Sequence, residues 1–410
     1  MYDLLIKNGH VIDPAKGLNG PLDVAIQDGR IARLAAGIDP LQARRVVDVT
    51  GKLVTPGLID LHAHVYWGVT SEQVNDLNTP PDSVGVLAGV TTVVDAGSAG
   101  FHDLGGFVRY LVPSASTRVL AFLNICRMSV LSALVTEGDR LIDVEATVRA
   151  VEANRRLIRG IKLPLSGQII DSLGMEAVRR SVRAARETGT HLMVHVGDLR
   201  SPASPRAASL TREMLDLLAP GDILTHVCTA RAGGVLDEEG HVLPELLEAR
   251  KRGVVLDSAQ GRTNFCFRSA SRLMDQGIIP DVISSDLTSG GRARIVYSLT
   301  ECMSKFLALG LSITQVVRMA SANAAAALGM SDELGSLAPG READLTILEA
   351  VVGEWEYVDS VGDILAGDKA LVPVAAVRSG RVIMPDWGPH PWGWLPAPGP
   401  RGLRPAQMRR

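Results

Sequence analysis

The sequence predicts an α/β chain in which eight parallel strands alternate with helices and close into a TIM-like barrel, with a small β-sandwich assembled from both chain ends. Three observations predict it. Short strand-like runs joined by tight-turn dipeptides fill the first fifty residues and return after residue 336. Between them, apolar strand-like runs alternate with amphipathic helical patterns, as βαβ units do. Histidines and an aspartate stand at the C-terminal ends of several of those runs, which together form one mouth of a barrel.

At the N-terminus, Asp3–Lys7 reads as a strand, Asn8-Gly9 as a turn, and His10–Ile12 as the next strand. Asp23–Ile26, the turn Asp28-Gly29 and Arg30–Leu34 follow in the same rhythm. From Val54 the pattern changes. Candidate barrel strands are Leu58–Leu61, Thr92–Ala96, Arg118–Asn124, Gly160–Leu163, His191–Val196, Ile223–His226, Gly253–Asp257 and Asp281–Ser285. Met175, Val178, Val182 and Ala185 recur at helical spacing between two of them, as do Val144, Val148 and Val151. An open doubly wound sheet could hold as many strands, but no G-x-G-x-x-G follows any of them. A last helix is expected from the capping box Ser312-Ile313-Thr314-Gln315 to a stop at Gly329. Ala343–Leu348, Val374–Val377 and Arg381–Met384 are expected to rejoin the N-terminal strands. The predicted domains are residues 1–54 and 336–385 for the sandwich, 55–335 for the barrel, and 386–410 for an irregular proline-rich tail with Trp392 and Trp394.

Composition narrows the function. Of 410 residues 46% are hydrophobic and 21% charged, and the net charge of -3 gives no reason to expect nucleic acid or an anionic membrane as partner. No run of 18 apolar residues and no signal-peptide pattern occurs, so a cytoplasmic protein is expected. Cys126, Cys228, Cys266 and Cys302 are scattered and read as buried free thiols.

The chemistry lies in His62-Ala63-His64. Residues i and i+2 of a strand point the same way, so both imidazoles can face the barrel interior at the mouth. His195 and His226 end two further candidate strands, Asp286 follows the eighth, and Lys162 lies on the fourth. These four histidines are nearly half of the nine in the chain, which makes coincidence a poor account of their placement. Imidazole and carboxylate suit zinc, with manganese, iron and nickel as alternatives. A lysine ammonium is a poor ligand, but its carbamate (N6-carboxylysine) is an anion able to bridge two cations.

Pro56–His64 together with the later residues in this order resembles the amidohydrolase superfamily, specifically its binuclear branch. Gly89–Gly100, Phe122–Ile125, Met193–Gly197 and Ser284–Leu287 look like the dihydroorotase-like deacetylase group within it. The resemblance implies two divalent ions. His62, His64 and Asp286 would hold one, His195 and His226 the other, and carboxylated Lys162 would bridge them. A metal-bridged hydroxide would then attack an amide or ester, with Asp286 moving the proton. The implied activity is deacylation of a small N-acyl amino acid or O-acyl hydroxy acid. A cyclic amidohydrolase of the dihydroorotase or hydantoinase kind, or a nucleobase deaminase, is the alternative, and a non-catalytic barrel serving assembly is a third reading. Ala259-Gln260-Gly261, Leu287-Thr288 and Val227–Arg231 depart from the group's pattern, and Val65-Tyr66-Trp67 replaces the arginine usual in dihydroorotase. Tyr66, Asn124, Arg231, Gln260 and Arg292 are the expected substrate contacts. Association into a homo-oligomer is expected by analogy alone.

Overall fold

The computed structural model describes residues 1–68, 77–127, 142–200, 204–292 and 295–385, so the expected tail at 386–410 lies outside the described residues. Five strands open the chain: β1 Tyr2–Asp13, β2 Leu18–Gln27, β3 Arg30–Ala35, β4 Ala43–Asp48 and β5 Leu53–Pro56. Asp28-Gly29 is a true hairpin turn, with φ of 51° and 69°. Asn8-Gly9 is not. It is a bulge inside one continuous strand, where the register with β2 shifts between Ile6 and Gly9. Asn8 takes φ 63°, its N–H donates to Asp23 Oδ1 (2.8 Å) and its side chain to Asp48 Oδ2 (3.1 Å). Those bonds replace the ladder contacts that the bulge removes.

Seven strands then form one parallel sheet in chain order: β6 Leu58–Ala63, β7 Val90–Gly100, β8 Arg118–Asn124, β9 Ile158–Leu163, β10 His191–His195, β11 Ile223–Thr225 and β12 Val255–Asp257. The eighth predicted strand is not a regular strand. Residues 281–287 instead bridge both edges, Val282 to Asp257 and Leu287 to Ala63, each in parallel sense. Gly261 N–H donates to Ser285 O (2.8 Å) on one side and Asp286 N–H to His62 O (2.6 Å) on the other, which closes the barrel. The ladder is broken because the Asp60 carboxylate takes the Ser285 N–H (2.9 Å) that a strand neighbour would otherwise receive.

The barrel interior below the mouth is filled by Ile59, Leu61, Val94, Leu120, Phe122, Met193, Ile223 and Val282. Gly160 leaves room for the Phe122 ring, which a Cβ there would meet at 2.3 Å. Ala324, Ala325, Leu328, Met330 and Leu334 plug the bottom. Outside run helices such as Val144–Ala153, Met175–Thr188 and Leu299–Ala308. Val178 and Ala185 of the predicted stripe are buried, with Met175 and Val182 packed against the same core. The capping box at Ser312 and Gln315 forms, but the expected single helix is two, Ile313–Met319 and Ala322–Ala327. The break frees the Ala320 carbonyl to accept from Ile59 N–H (2.8 Å) at the base of β6.

After the barrel, β13 Leu345–Val358, β14 Ile364–Arg378 and β15 Arg381–Ile383 return to the first sheet, in the order β15-β14-β13-β5-β1-β2-β3 with β4 on β1. The β13–β14 hairpin is longer than the sequence suggested. Its outer half leaves the sheet, buries Trp355 and Tyr357, and leans on the barrel. Leu371 N–H donates to Ser304 Oγ (2.9 Å), Phe267 N–H to Asp359 Oδ2 (2.9 Å) and Ser360 N–H to Phe265 O (2.9 Å). The last two bonds hold the far end of the loop that leaves β12.

Candidate metal centre

The side chains predicted to converge do so. Nε2 of His62 and of His64 lie 3.4 and 3.1 Å from the same oxygen of Asp286, Oδ1. Lys162 Nζ is 3.5 Å from His62 Nε2. The His226 ring centroid lies 5.0 Å from that of His62 and 4.4 Å from that of His195.

Backbone geometry aims these groups. His226 and Asp286 hold φ of 73° and 50°, left-handed conformations that L-residues with side chains rarely adopt. Each costs roughly 1–2 kcal/mol, and the barrel wall enforces it through Asp286 N–H to His62 O (2.6 Å) and His226 N–H to Asp257 O (3.0 Å). Glycines admit the charged groups. A Cβ on Gly261 would sit 2.1 Å from Asp286 Oδ2, and one on Gly97 would sit 2.8 Å from Lys162 Cγ.

Each imidazole has one nitrogen held by the protein. His62 Nδ1 meets Thr225 Oγ1 (2.9 Å) and His64 Nδ1 meets Ser98 Oγ (2.8 Å). His226 Nδ1 donates to Ala259 O (2.7 Å) and His195 Nε2 to Gly197 O (2.9 Å). The second nitrogen faces the centre, where Nε2 of His62 and of His64 converge on Asp286 Oδ1, the arrangement metal-ligating histidines use. Burial, then Lys162, holds the His62 imidazole well below its ordinary range, and burial, then His226, does so for His195. Burial likewise pulls His226 down to about 4 against the pull of Asp286. All three are therefore neutral at pH 7, the form that binds metal. Burial drives the Lys162 ammonium down to about 8, although Asp286, Asp257 and Asp95 oppose it. For Asp286, burial pushes up, but the His64 hydrogen bond and the charges of His226, His64 and Lys162 outweigh it, so the carboxylate stays ionised.

The donor set fits a divalent ion. Tetrahedral ligands at about 2.0–2.1 Å from zinc stand about 3.3 Å from one another, close to the 3.4 and 3.1 Å found around Asp286 Oδ1. Metal-capable atoms of His62, His64 and Asp286 all lie within 4.8 Å of one another.

A cavity of about 400 Å³ opens above these groups. None of the five expected substrate contacts lines it. Tyr66 is buried with its hydroxyl on Asp103 O. Asn124 bonds Gly97 O (3.0 Å), and Gln260 bonds Cys302 O (3.1 Å) behind the barrel wall. Arg292 is tied to Ser83 Oγ (2.7 Å) and Ser83 O (2.6 Å). Arg231 turns toward Thr263 O (3.5 Å) and lines a different pocket. The wall residues that sequence reasoning missed include Ser166, Arg200, Arg262, Thr263 and Asn264. Their signal was position alone, since they follow β9, β10 and β12 at the mouth. Asn264 Nδ2 donates to Asp286 Oδ2 (2.9 Å) and so fixes that carboxylate's rotation.

The model of the amidohydrolase family matches residues 53–383. A deacetylase of Brucella anthropi is 30% identical over 385 residues, which covers 93% of this chain and 87% of its own. Among solved structures, an adenine deaminase superposes with a TM-score of 0.83 at 27% identity, covering 94% of this chain and 100% of its own. A dihydroorotase does so with a TM-score of 0.80 at 29% identity, covering 93% and 99%.

Proposed function

The chain belongs to the amidohydrolase family and is a metal-dependent hydrolase, and we propose that it deacylates a small N-acyl amino acid or O-acyl hydroxy acid. The observation that carries this reading is a pair of guanidiniums, Arg200 and Arg262, on the wall of the metal-site cavity. Both are exposed, and no salt bridge engages either among the described residues. Arg200 lies across Gly167, whose φ is 53° and where a Cβ would meet Arg200 Cδ at 2.9 Å. Two uncommitted forks above a deep carbonyl-activating site suit a substrate with a carboxylate at one end and an acyl group at the other. The deacetylase of Brucella anthropi supports the same reaction.

In this reading His62, His64 and Asp286 hold one ion, and His195 and His226 the other. Zinc suits these donors best, with manganese, iron and nickel as alternatives. Two divalent ions there would polarise the scissile carbonyl and lower the pKa of the attacking water. Lys162 would serve as its carbamate. Burial holds its ammonium down to about 8, which favours the neutral amine that adds CO₂, releasing one proton to solvent. Asp286 would accept the proton of the attacking water and return it to the leaving nitrogen or oxygen, while Asn264 keeps it aligned.

A second reading, ring opening or deamination on the same centre, draws on the adenine deaminase and dihydroorotase neighbours. One experiment separates them. Metal-replete protein is offered acylated acids, their carboxamides, dihydroorotate, hydantoins and adenine, and acetate, ammonia and ring opening are followed. Acylated acids are expected to turn over. Arg200→Met and Arg262→Met should each raise KM for acids by about tenfold, after discounting a charge-assisted bond for exposure, and leave carboxamides unaffected. Equal KM for acid and carboxamide, or ammonia release from adenine alone, refutes the reading.

A further inference from the structure

Of the four imidazoles in the centre, two rest their outer nitrogen on a carbonyl and two on a hydroxyl. A carbonyl only accepts, so it dictates that the ring nitrogen facing it carries the proton. A hydroxyl can donate or accept, and dictates nothing unless its own proton is already committed. For His62 it is committed. Thr225 Oγ1 lies 2.8 Å from Asp257 Oδ2, and a carboxylate has no proton to give. The threonine must donate to Asp257 and therefore accept from His62 Nδ1–H, 2.9 Å away.

We propose that Asp257 and Thr225 are positioning residues that lock His62 in its Nδ1–H tautomer, so that its Nε2 lone pair faces the metal. Asp257 is itself pinned. It is fully buried, and Oδ1 takes the Ser284 hydroxyl (2.6 Å) and the Ala259 N–H (3.4 Å), leaving Oδ2 to Thr225. Thr225 and Asp257 are register partners on β11 and β12, while His62 stands on β6. The relay therefore runs through the barrel interior from one part of the wall to another, and holds the imidazole against rotation as well as fixing its proton. Direct carboxylate–imidazole contact is second to this path, since Asp257 Oδ2 is 3.7 Å from His62 Nδ1. The inference rests on the reading of His62 as a ligand.

Zinc affinity of the holoenzyme, measured by competition with a chelator, tests it. Thr225→Val exchanges the hydroxyl for a methyl of the same shape and is expected to weaken zinc by about 10–100-fold. Thr225→Ser should recover affinity to within about threefold of wild type. Asp257→Asn should weaken zinc alone, yet add nothing in the Thr225→Val background. Unchanged affinity in Thr225→Val, equal loss in Thr225→Ser, or additive losses each overturn the relay. ¹⁵N-imidazole spectra of chelator-treated wild type give a reading that needs no variant. The His62 proton is expected on Nδ1, and a proton on Nε2 overturns the proposal. Wild type that takes up no zinc refutes the ligand reading itself, which the relay test leaves separately visible.

Discussion

Replacing Gly261 with alanine should cut turnover about a hundredfold while costing the fold little. The new Cβ would stand 2.1 Å from Asp286 Oδ2, whereas ordinary contact begins at 3.4 Å, so one partner must yield by about 1.3 Å. The backbone of residue 261 is held, because its N–H donates to Ser285 O at 2.8 Å. The carboxylate is the end of a side chain and can rotate, so it yields. In doing so it leaves Asn264 Nδ2, now 2.9 Å away, and carries Oδ1 off the shared point between His62 and His64. A displacement of about 1 Å at a reacting group costs about 10²-fold in rate. Alanine at φ 54° costs about 1 kcal/mol of stability. Gly277→Ala is the control, since φ is 79° there and no atom lies within 4 Å of the new Cβ. Both variants should lose a similar few degrees of melting temperature, and only Gly261→Ala should lose kcat and metal occupancy. Equal kcat in the two variants would refute the placement of Asp286 at the reacting centre.

Two further outcomes follow from the same geometry. Asp286→Asn keeps the size of the side chain but cannot take up a proton at neutral pH, so kcat should fall by about 10²–10⁴-fold with circular dichroism unchanged. Near wild-type hydrolysis would sink the mechanism. Glu342 sits among Ser379, Arg378 and Arg118, where burial raises its pKa but these partners outweigh it and hold the carboxyl down to about 2. Its folded pKa lies below the unfolded value, so its stabilisation is complete above pH 4.5 and is lost as pH falls toward 2. The melting-temperature gap between wild type and Glu342→Gln should therefore be constant above that window and close within it, and a gap independent of pH would assign the cluster to packing alone.

The barrel was legible because its strands are buried on both faces and read as continuous apolar runs. The ligands were legible because strand periodicity and position at strand ends decide which way His62 and His195 point, while His226 stands one residue past β11 and is aimed by its φ of 73°. The eighth segment was found at the right place, but its irregular pairing was not foreseen, since that depends on the Asp60 side chain competing for a backbone N–H. Asn8-Gly9 shows the same limit. A left-handed Asn before a Gly suits a hairpin turn and a bulge equally, and the choice is made by Asp23 and Asp48, fifteen and forty residues away. The long β13–β14 hairpin escaped because its outer half earns its place from tertiary contacts at Ser304 and Phe265, not from its own alternation.

The arginines show why substrate contacts resist a sequence reading even when metal ligands do not. Arg200, Arg231, Arg262 and Arg292 all lie in segments that leave the mouth of the barrel, Arg292 in the short helix Ser289–Arg292, so position alone ranks them equally. Competing acceptors then sort them. Ser83 captures Arg292 through both its hydroxyl and its carbonyl, and Thr263 O draws Arg231 to the far side of its loop. Arg200 stays in the cavity because Gly167, with φ 53° and no side chain, gives its stem a surface to lie on. Arg262 follows directly on Gly261, where the loop presses against Asp286. A ligand histidine on a strand inherits its direction from the pleat, whereas a guanidinium on a loop takes its direction from whichever acceptor or glycine it meets. It follows that changes in such loops can redirect substrate choice while the metal site below them is unaltered.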